Sequence, residues 1–274
     1  MVKVIALTGK KGSGKSTLAN SLIGHGMVAN GVADKAKVEN GKLYLEIDGN
    51  TGALDINDAR DDYEMEDWLQ NNVYPYVKVY SFAEPLKQMC ISLFNIPPNC
   101  VYGSDEEKNT VMEYLRWENM PGVVDYNEAQ WVQCEMCGDG EDPSCLAKRL
   151  NVIPHEPGPM TAREFMQFMG TEIMRKIYSP LWVEYLVNNI QNDQTQLALI
   201  DDMRFNNEAE GVRAAFGDSA LIFGLDRSID SGDKHISEKG IDQKYVDINI
   251  YNSKLSEQET INELFSSLKK RDWV

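Results

Sequence analysis

One loop near the start of the chain, Gly9-Lys10-Lys11-Gly12-Ser13-Gly14-Lys15-Ser16, restricts the possible folds more than any other feature. It satisfies G-x-x-x-x-G-K-[ST] and stands between the short apolar run Val2–Leu7 and a helical pattern from Lys15 to about His25. Strand, glycine loop and helix in that order form a phosphate cradle. Glycines let the backbone wrap close to phosphate with N–H groups turned inward, and the helix adds the positive end of its dipole. The pattern assigns Gly9, Gly12, Ser13, Gly14 and Thr17 to the cradle and gives Lys15 the β- and γ-phosphates. Ser16 offers a hydroxyl to Mg²⁺. The bland alternative is a glycine turn that binds nothing; the flanking strand and helix argue against it. The loop speaks for a bound nucleoside triphosphate and says little about the reaction.

The rest of the chain alternates short apolar runs with helical periodicity. Val77–Phe82 reads as a strand. Glu84-Pro85 opens a helix carrying Leu86, Met89, Cys90 and Leu93, which Pro97-Pro98 ends. Thr161 and Glu164 have the spacing of a capping box, followed by Phe165, Phe168, Met169 and Ile173 on a helix. Leu181–Ile190 reads as a helix, Leu197–Ile200 as a buried strand ending at Asp201-Asp202, and Asn206–Phe216 as a helix. Ala220–Leu225 and Val246–Ile250 read as strands, and Glu257–Lys270 as a closing amphipathic helix. Strands alternating with helices imply an α/β fold, a five-stranded parallel sheet flanked by helices on both faces.

Two stretches interrupt that alternation. Residues 26–75 are polar, acidic and rich in Gly and Asn. Within them Lys42–Ile47, the turn Asp48-Gly49-Asn50-Thr51-Gly52 and Ala53–Ile56 read as an inserted β-hairpin with a longer turn. Residues 99–160 read as irregular, with many Gly, Pro and acidic residues. The whole chain, 1–274, is read as a single domain with these two insertions.

Charge and apolar content narrow the function. With 27 basic against 43 acidic residues the net charge is −16, which opposes a general nucleic-acid-binding surface. Hydrophobic residues are 42% of the chain, enough for a core. No run approaches the ~20 apolar residues of a membrane span, and the N-terminus lacks a signal-peptide pattern, so the expected location is cytoplasmic. An odd cysteine count, 5, opposes a secreted disulfide framework. Cys134, Cys137 and Cys145 form C-x-x-C-x₇-C, a spacing that suits zinc thiolates, with His155, Cys100 or a carboxylate as the fourth ligand. The alternative is a set of unligated cytosolic thiols, and the usual second C-x-x-C is missing.

In the second half Met166-Gln-Phe-Met-Gly-Thr-Glu172, Leu181-Trp182-Val183, Asp202-Met-Arg204-Phe-Asn-Asn-Glu208 and Asp233-Lys-His-Ile-Ser-Glu-Lys-Gly240 follow one another, then an Asp-rich strand and Asn252. With the glycine loop, this order resembles the bacteriophage deoxynucleoside monophosphate kinases. The likeness is close over residues 1–25 and from about Thr161 onward, partial over Lys78–Met89, and essentially absent from 26–75 and 99–155. It implies a P-loop kinase fold and transfer of the γ-phosphoryl of ATP to a deoxynucleoside monophosphate, with Mg²⁺ present. It also suggests a homodimer, a mobile lid at about 99–160 and, if the chain is phage-encoded, a place in the host cytoplasm.

The resemblance implies roles, each with a plainer alternative. Arg204 would hold the acceptor phosphate, and Asp202 and Glu208 its sugar, its base or the arginine itself. Alternatively these three form a strand-end ion pair beside a helix N-terminus. Asp201 rivals Asp202 for a water-mediated hold on Mg²⁺. Trp182 either stacks on the acceptor base or anchors its helix in the core. Arg163 clamps the transferring phosphoryl or is a solvated arginine; Arg175, farther along that helix, is a weaker candidate. Arg227 would lie over the adenine of ATP. Gln167 and Thr171 line the acceptor pocket or face solvent, and His235 braces the ATP site. Two rival readings remain: another small-molecule P-loop kinase, of dephospho-coenzyme A or shikimate type, and a nucleotide-binding module that transfers nothing. A guanine-reading N-K-x-D motif is absent.

Overall fold

The structure, a computed structural model, describes residues 2–56, 63–125, 152–227 and 240–273. In chain order it opens with β1 (Lys3–Gly9), α1 (Lys15–Ala29), β2 (Lys35–Glu39), β3 (Lys42–Ile47), β4 (Asn50–Leu54), α2 (Tyr63–Asn72), β5 (Val77–Tyr80) and α3 (Glu84–Phe94). Next come α4 (Pro98–Tyr102), α5 (Asp105–Lys108), β6 (Val111–Arg116), β7 (Val123–Val124), β8 (Ile153–Pro154), β9 (Pro159–Thr161) and α6 (Ala162–Gln167). A π-helical stretch, Phe168–Met174, leads into α7 (Arg175–Ile177). The last elements are α8 (Leu181–Asp193), β10 (Leu197–Met203), α9 (Asn206–Phe216), β11 (Ala220–Asp226), β12 (Ile248–Tyr251) and α10 (Glu257–Lys269). No helix among the described residues is long and apolar enough to cross a membrane.

Two compact units emerge, Met1–Pro85 with Tyr178–Val274, and Leu86–Ile177. The first holds a five-stranded parallel sheet in the order β12-β11-β1-β10-β5. The first strand is therefore the central one. Val4, Ile5, Ala6 and Leu7 have no exposed surface, as expected of a strand covered on both faces. Because all five strands run the same way, the segments that follow them gather along one edge. That edge holds the glycine loop, the aspartate-bearing end of β10 and Asn252.

The inserted segment of this unit is an antiparallel three-stranded sheet, β2-β3-β4, where the sequence reading expects a single hairpin. The long turn it expects is in fact a two-residue turn. Asp48 and Gly49 take φ of 49° and 75°, and Asn50 already pairs with Ile47. Asn40 and Gly41 make the matching turn between β2 and β3, with φ of 51° and 77°. Asn-Gly and Asp-Gly are the pairs whose positive φ fits a tight hairpin. The apolar face of the insert rests on α1, where Gly24 allows the approach. A methyl group there would stand 2.8 Å from both Ala36 Cβ and Leu43 Cδ1. Leu43, Leu45 and Leu54 thereby join the core that includes Leu18, Leu22 and Ile23 of α1.

The second unit has more regular structure than its polar sequence suggests. β6 pairs antiparallel with β9, and β7 lies parallel to β8. These strands are too short and too polar to show an apolar run. Thr161 caps α6 as expected, accepting from the Glu164 amide while the Glu164 carboxylate accepts from the Thr161 amide. The helix then loosens into the π-helical stretch, where Gly170 lies against Leu86. Phe94, Phe165, Phe168 and Trp117 form its aromatic contacts.

Candidate active site

The glycine loop leaves β1 at the centre of the sheet edge. Gly9, Gly12 and Gly14 have φ of 149°, 75° and 99°, which side-chain-bearing residues rarely adopt. Gly9 also needs the space, since a methyl group there would sit 2.6 Å from the Leu225 carbonyl oxygen. Gly14 is the N-cap of α1, with no side-chain cap and no acidic residue in the first turn. The first N–H groups of α1 thus keep their positive end for a ligand, whereas Thr161 caps α6 and Ser256 caps α10. The Lys15 ammonium lies across the loop and donates to the carbonyls of Gly9 (2.7 Å) and Lys10 (3.0 Å).

Two buried hydroxyls support the reading of this loop as a phosphate cradle. Thr8 and Ser13 are 3% and 1% exposed, and neither Oγ has a hydrogen-bond partner among the described residues. Buried hydroxyls are normally paired, so an unpaired pair beside a left-handed glycine loop marks a place for acceptor-rich ligand atoms. The Ser16 hydroxyl is on the exposed first turn of α1. Among the described residues no group of three or more His, Cys, Asp or Glu converges to hold a metal unaided. Such a site still fits Mg²⁺, which takes one or two protein ligands and completes its shell with phosphate oxygens and water.

The neighbouring strand β10 runs through Asp201 and Asp202 rather than stopping before them. Its register against β1 shifts there. Ala6 pairs with Ile200 and Thr8 with Met203, so the two aspartates together face Leu7. Such a bulge re-aims side chains at the end of a strand. Asp202 accepts from Ser81 Oγ (2.6 Å) and from the amides of Phe82 (3.0 Å) and Ala83 (3.1 Å). Its carboxylate therefore fixes the turn after β5. Asp201 is half-buried on the same bulge.

Arg204 and Glu208 open α9. The Glu208 side chain, 1% exposed, accepts from the amides of Arg204 (2.7 Å) and Phe205 (3.0 Å). It is a buried brace for the turn that presents Arg204. Trp182 is 5% exposed on α8, among Val183, Leu186 and Ile190 as buried members of that helix. Arg227 follows β11 and is exposed. In the second unit Arg163 pairs with Asp105 at 2.5 Å, and its Nε is buried without a partner among the described residues. Gln167 ends α6, Thr171 lies in the π-helical stretch, and Arg175 begins α7; all three are half-buried. Burial pushes the thiol of Cys90 in this unit up to about 12. Cys134, Cys137, Cys145 and His235 lie outside the described residues. Of the other zinc candidates, Cys100 is buried, and His155 stacks on Trp117 with centroids 3.8 Å apart.

The sequence reading gave no role to Ser81, Thr8 or Asn252. Ser81 carries no pattern of its own; its part emerges only from the pairing of β5 with β10. Asn252 is visible in the sequence as the residue that ends the last strand.

Residues 136–266 match the family model described as deoxynucleotide monophosphate kinase. That span carries Asp202, Arg204 and Glu208, while the glycine loop lies outside it and stands on its own geometry. A protein of Acanthamoeba polyphaga mimivirus named "Putative deoxynucleotide monophosphate kinase" is 27% identical over 190 residues, 69% of this chain and 79% of that protein. The "Deoxynucleoside-5'-monophosphate kinase" of Escherichia phage T5 is 31% identical over 93 residues, 32% of this chain and 37% of the phage protein. A central strand that runs into a glycine loop, and an acidic strand end within the matched span, agree with these likenesses: over residues 136–266, a little under half of its length, the chain is similar to the deoxynucleotide monophosphate kinases.

Proposed function

We propose that this protein moves the γ-phosphoryl group of ATP onto the phosphate of a deoxynucleoside monophosphate. The bond between the β,γ-bridging oxygen and the γ-phosphorus breaks, and an acceptor phosphate oxygen forms the new bond. The products are ADP and a deoxynucleoside diphosphate. The attacking atom is already an anionic oxygen, so the reaction calls for alignment and charge neutralisation rather than a strong base. The observation that carries the reading is the uncapped glycine loop at the centre of the sheet edge, with Lys15 folded into it.

In this reading the loop amides and Lys15 hold the donor phosphates. Mg²⁺, when bound, neutralises charge on the β- and γ-phosphates. Ser16 would hold it directly and Asp201 through water. Asp202, the rival for that place, has its carboxylate on Ser81, Phe82 and Ala83. Arg204 binds the acceptor phosphate from a turn that Glu208 braces. Trp182, buried on α8, supports that half of the site from within the core. The roles implied for Arg163, Gln167, Thr171 and Arg227 belong to the same reading and are open to substitution one at a time.

Lys15→Ala is the direct test. It removes the ammonium that the donor phosphates require and touches nothing in the core. Transfer should fall below detection while the melting temperature stays within a few degrees of wild type. Wild-type turnover in that variant would refute the reading.

A further inference from the structure

The loop that binds phosphate is held in shape by a residue from the other end of the chain. Asn252 follows β12, is 3% exposed, and donates from Nδ2 to the Ser13 carbonyl at 2.8 Å. Its own amide donates to the Asp226 carbonyl at 3.0 Å, and its carbonyl accepts from Leu255 at 3.3 Å. The side chain therefore projects from a backbone fixed on both sides. Ser13 is fixed as well, because its amide donates to the Lys10 carbonyl at 3.1 Å.

This geometry has a consequence for the next peptide group. All described peptide bonds are trans, and in a trans peptide the C=O and N–H point in opposite directions. With the Ser13 carbonyl drawn toward Asn252, the Gly14 N–H must point away from it, to the far face of the loop. The Gly14 carbonyl is separately engaged by the Leu18 amide at 3.1 Å, the first turn of α1. A Cβ at Gly14 would lie 3.5 Å from Asn252 Nδ2, so the asparagine amide borders this position. Freed from Asn252, the Ser13–Gly14 peptide can rotate and turn its carbonyl oxygen toward the phosphates. A helix start that offered N–H groups would then present a repelling oxygen.

We infer that Asn252 is a positioning residue for the donor nucleotide, orienting the Ser13–Gly14 peptide so that the loop offers an N–H to the triphosphate. The inference rests on the kinase reading only for the identity of the acceptor; the loop geometry stands without it. Asn252 touches no phosphate in this role. It acts through the loop backbone, and its effect belongs to the donor side alone.

The test is calorimetric ATP binding to the full chain without any acceptor, followed by steady-state kinetics. Asn252→Asp keeps the shape but replaces the donor with a carboxylate facing a carbonyl. Asn252→Leu keeps the approximate volume without polarity. Either variant should weaken ATP binding about ten-fold, the scale of one lost hydrogen bond to a site of this kind. KM for the monophosphate should stay within about two-fold and kcat should change less than KM for ATP. A further signature separates orientation from bulk stability. As pH falls and the carboxyl group introduced by Asn252→Asp takes up a proton, it becomes a donor again, and its ATP affinity should approach that of wild type at the same pH. Asn252→Leu should show no such recovery. Wild-type ATP affinity in either folded variant would overturn the inference, as would equal weakening of both substrates. If Asn252→Asp fails to fold, Asn252→Leu still decides by the split between the two KM values. If wild type binds ATP but phosphorylates no monophosphate, the kinase reading fails and the loop inference remains testable by binding.

Discussion

Asp202, one of two adjacent aspartates at the end of β10, carries a structural load. Asp202 takes three hydrogen bonds, two from backbone amides of the turn after β5. Hydrogen bonds to a charged group are worth about 1.5–3 kcal/mol, and removing the acceptor leaves the amides without their partner. Asp202→Ala should therefore lower unfolding free energy by at least about 2 kcal/mol in urea titrations. Asp202→Asn, which keeps one carbonyl acceptor, should lose less. A neutral outcome for Asp202→Ala would mean that the turn does not depend on this carboxylate. The hold of Asp202 on the turn after β5 was not legible in the sequence, because it arises from the pairing of β10 with β5. Glu208 was legible as a helix-start acid, but its burial was not. Cys90 yields another prediction at this scale. Burial holds its thiol near 12, so at pH 8 almost no thiolate forms. In the native protein Cys90 should resist iodoacetamide, as read by mass mapping, and should react once the chain is denatured. Rapid labelling in the native state would contradict the packing of this residue.

The five core strands were legible as elements because each is a short apolar run between turn residues or helices. Their ends were less so: β10 continues through two charged residues, since a strand end at the sheet edge tolerates polarity that its middle does not. The insert shows a different failure. Asn40-Gly41 carries the same turn chemistry as Asp48-Gly49, yet the preceding strand, Lys35–Glu39, alternates charged and small residues and lacks an apolar signal. Its partner strand supplies the buried face through Leu43 and Leu45. The β2–β3 turn is in turn secured to the core unit, with the Gly41 amide donating to Glu257 at 2.7 Å and its carbonyl accepting from Asn20 at 2.8 Å. The contact at Gly24 decides how closely α1 and the insert approach. Gly24→Val should cost about 1–3 kcal/mol by overpacking. Gly24→Ala should cost less, because the gain in helix propensity, up to about 1 kcal/mol, offsets part of the clash. Thermal unfolding compares the two; equal stability of Gly24→Val and wild type would show that the insert is not seated on this face.

Across the whole molecule, the sequence carried the phosphate loop in full, because its chemistry lies in consecutive residues. The residues proposed for the acceptor half lie in segments far apart in the chain, so only resemblance could suggest them. The acidic net charge of −16 makes the cationic side chains of the loop and of Arg204 conspicuous as places for polyanionic substrates. The central claim is that phosphate passes from ATP to a deoxynucleoside monophosphate, and it is tested most directly by the products. The protein should be incubated with γ-labelled ATP and Mg²⁺, with each common deoxynucleoside and ribonucleoside monophosphate in turn, and the labelled species resolved. The account predicts label in the diphosphate of at least one deoxynucleoside monophosphate, with an equal yield of ADP, and none when Lys15→Ala replaces wild type. Label found only in inorganic phosphate, or only in a non-nucleotide acceptor, would contradict it.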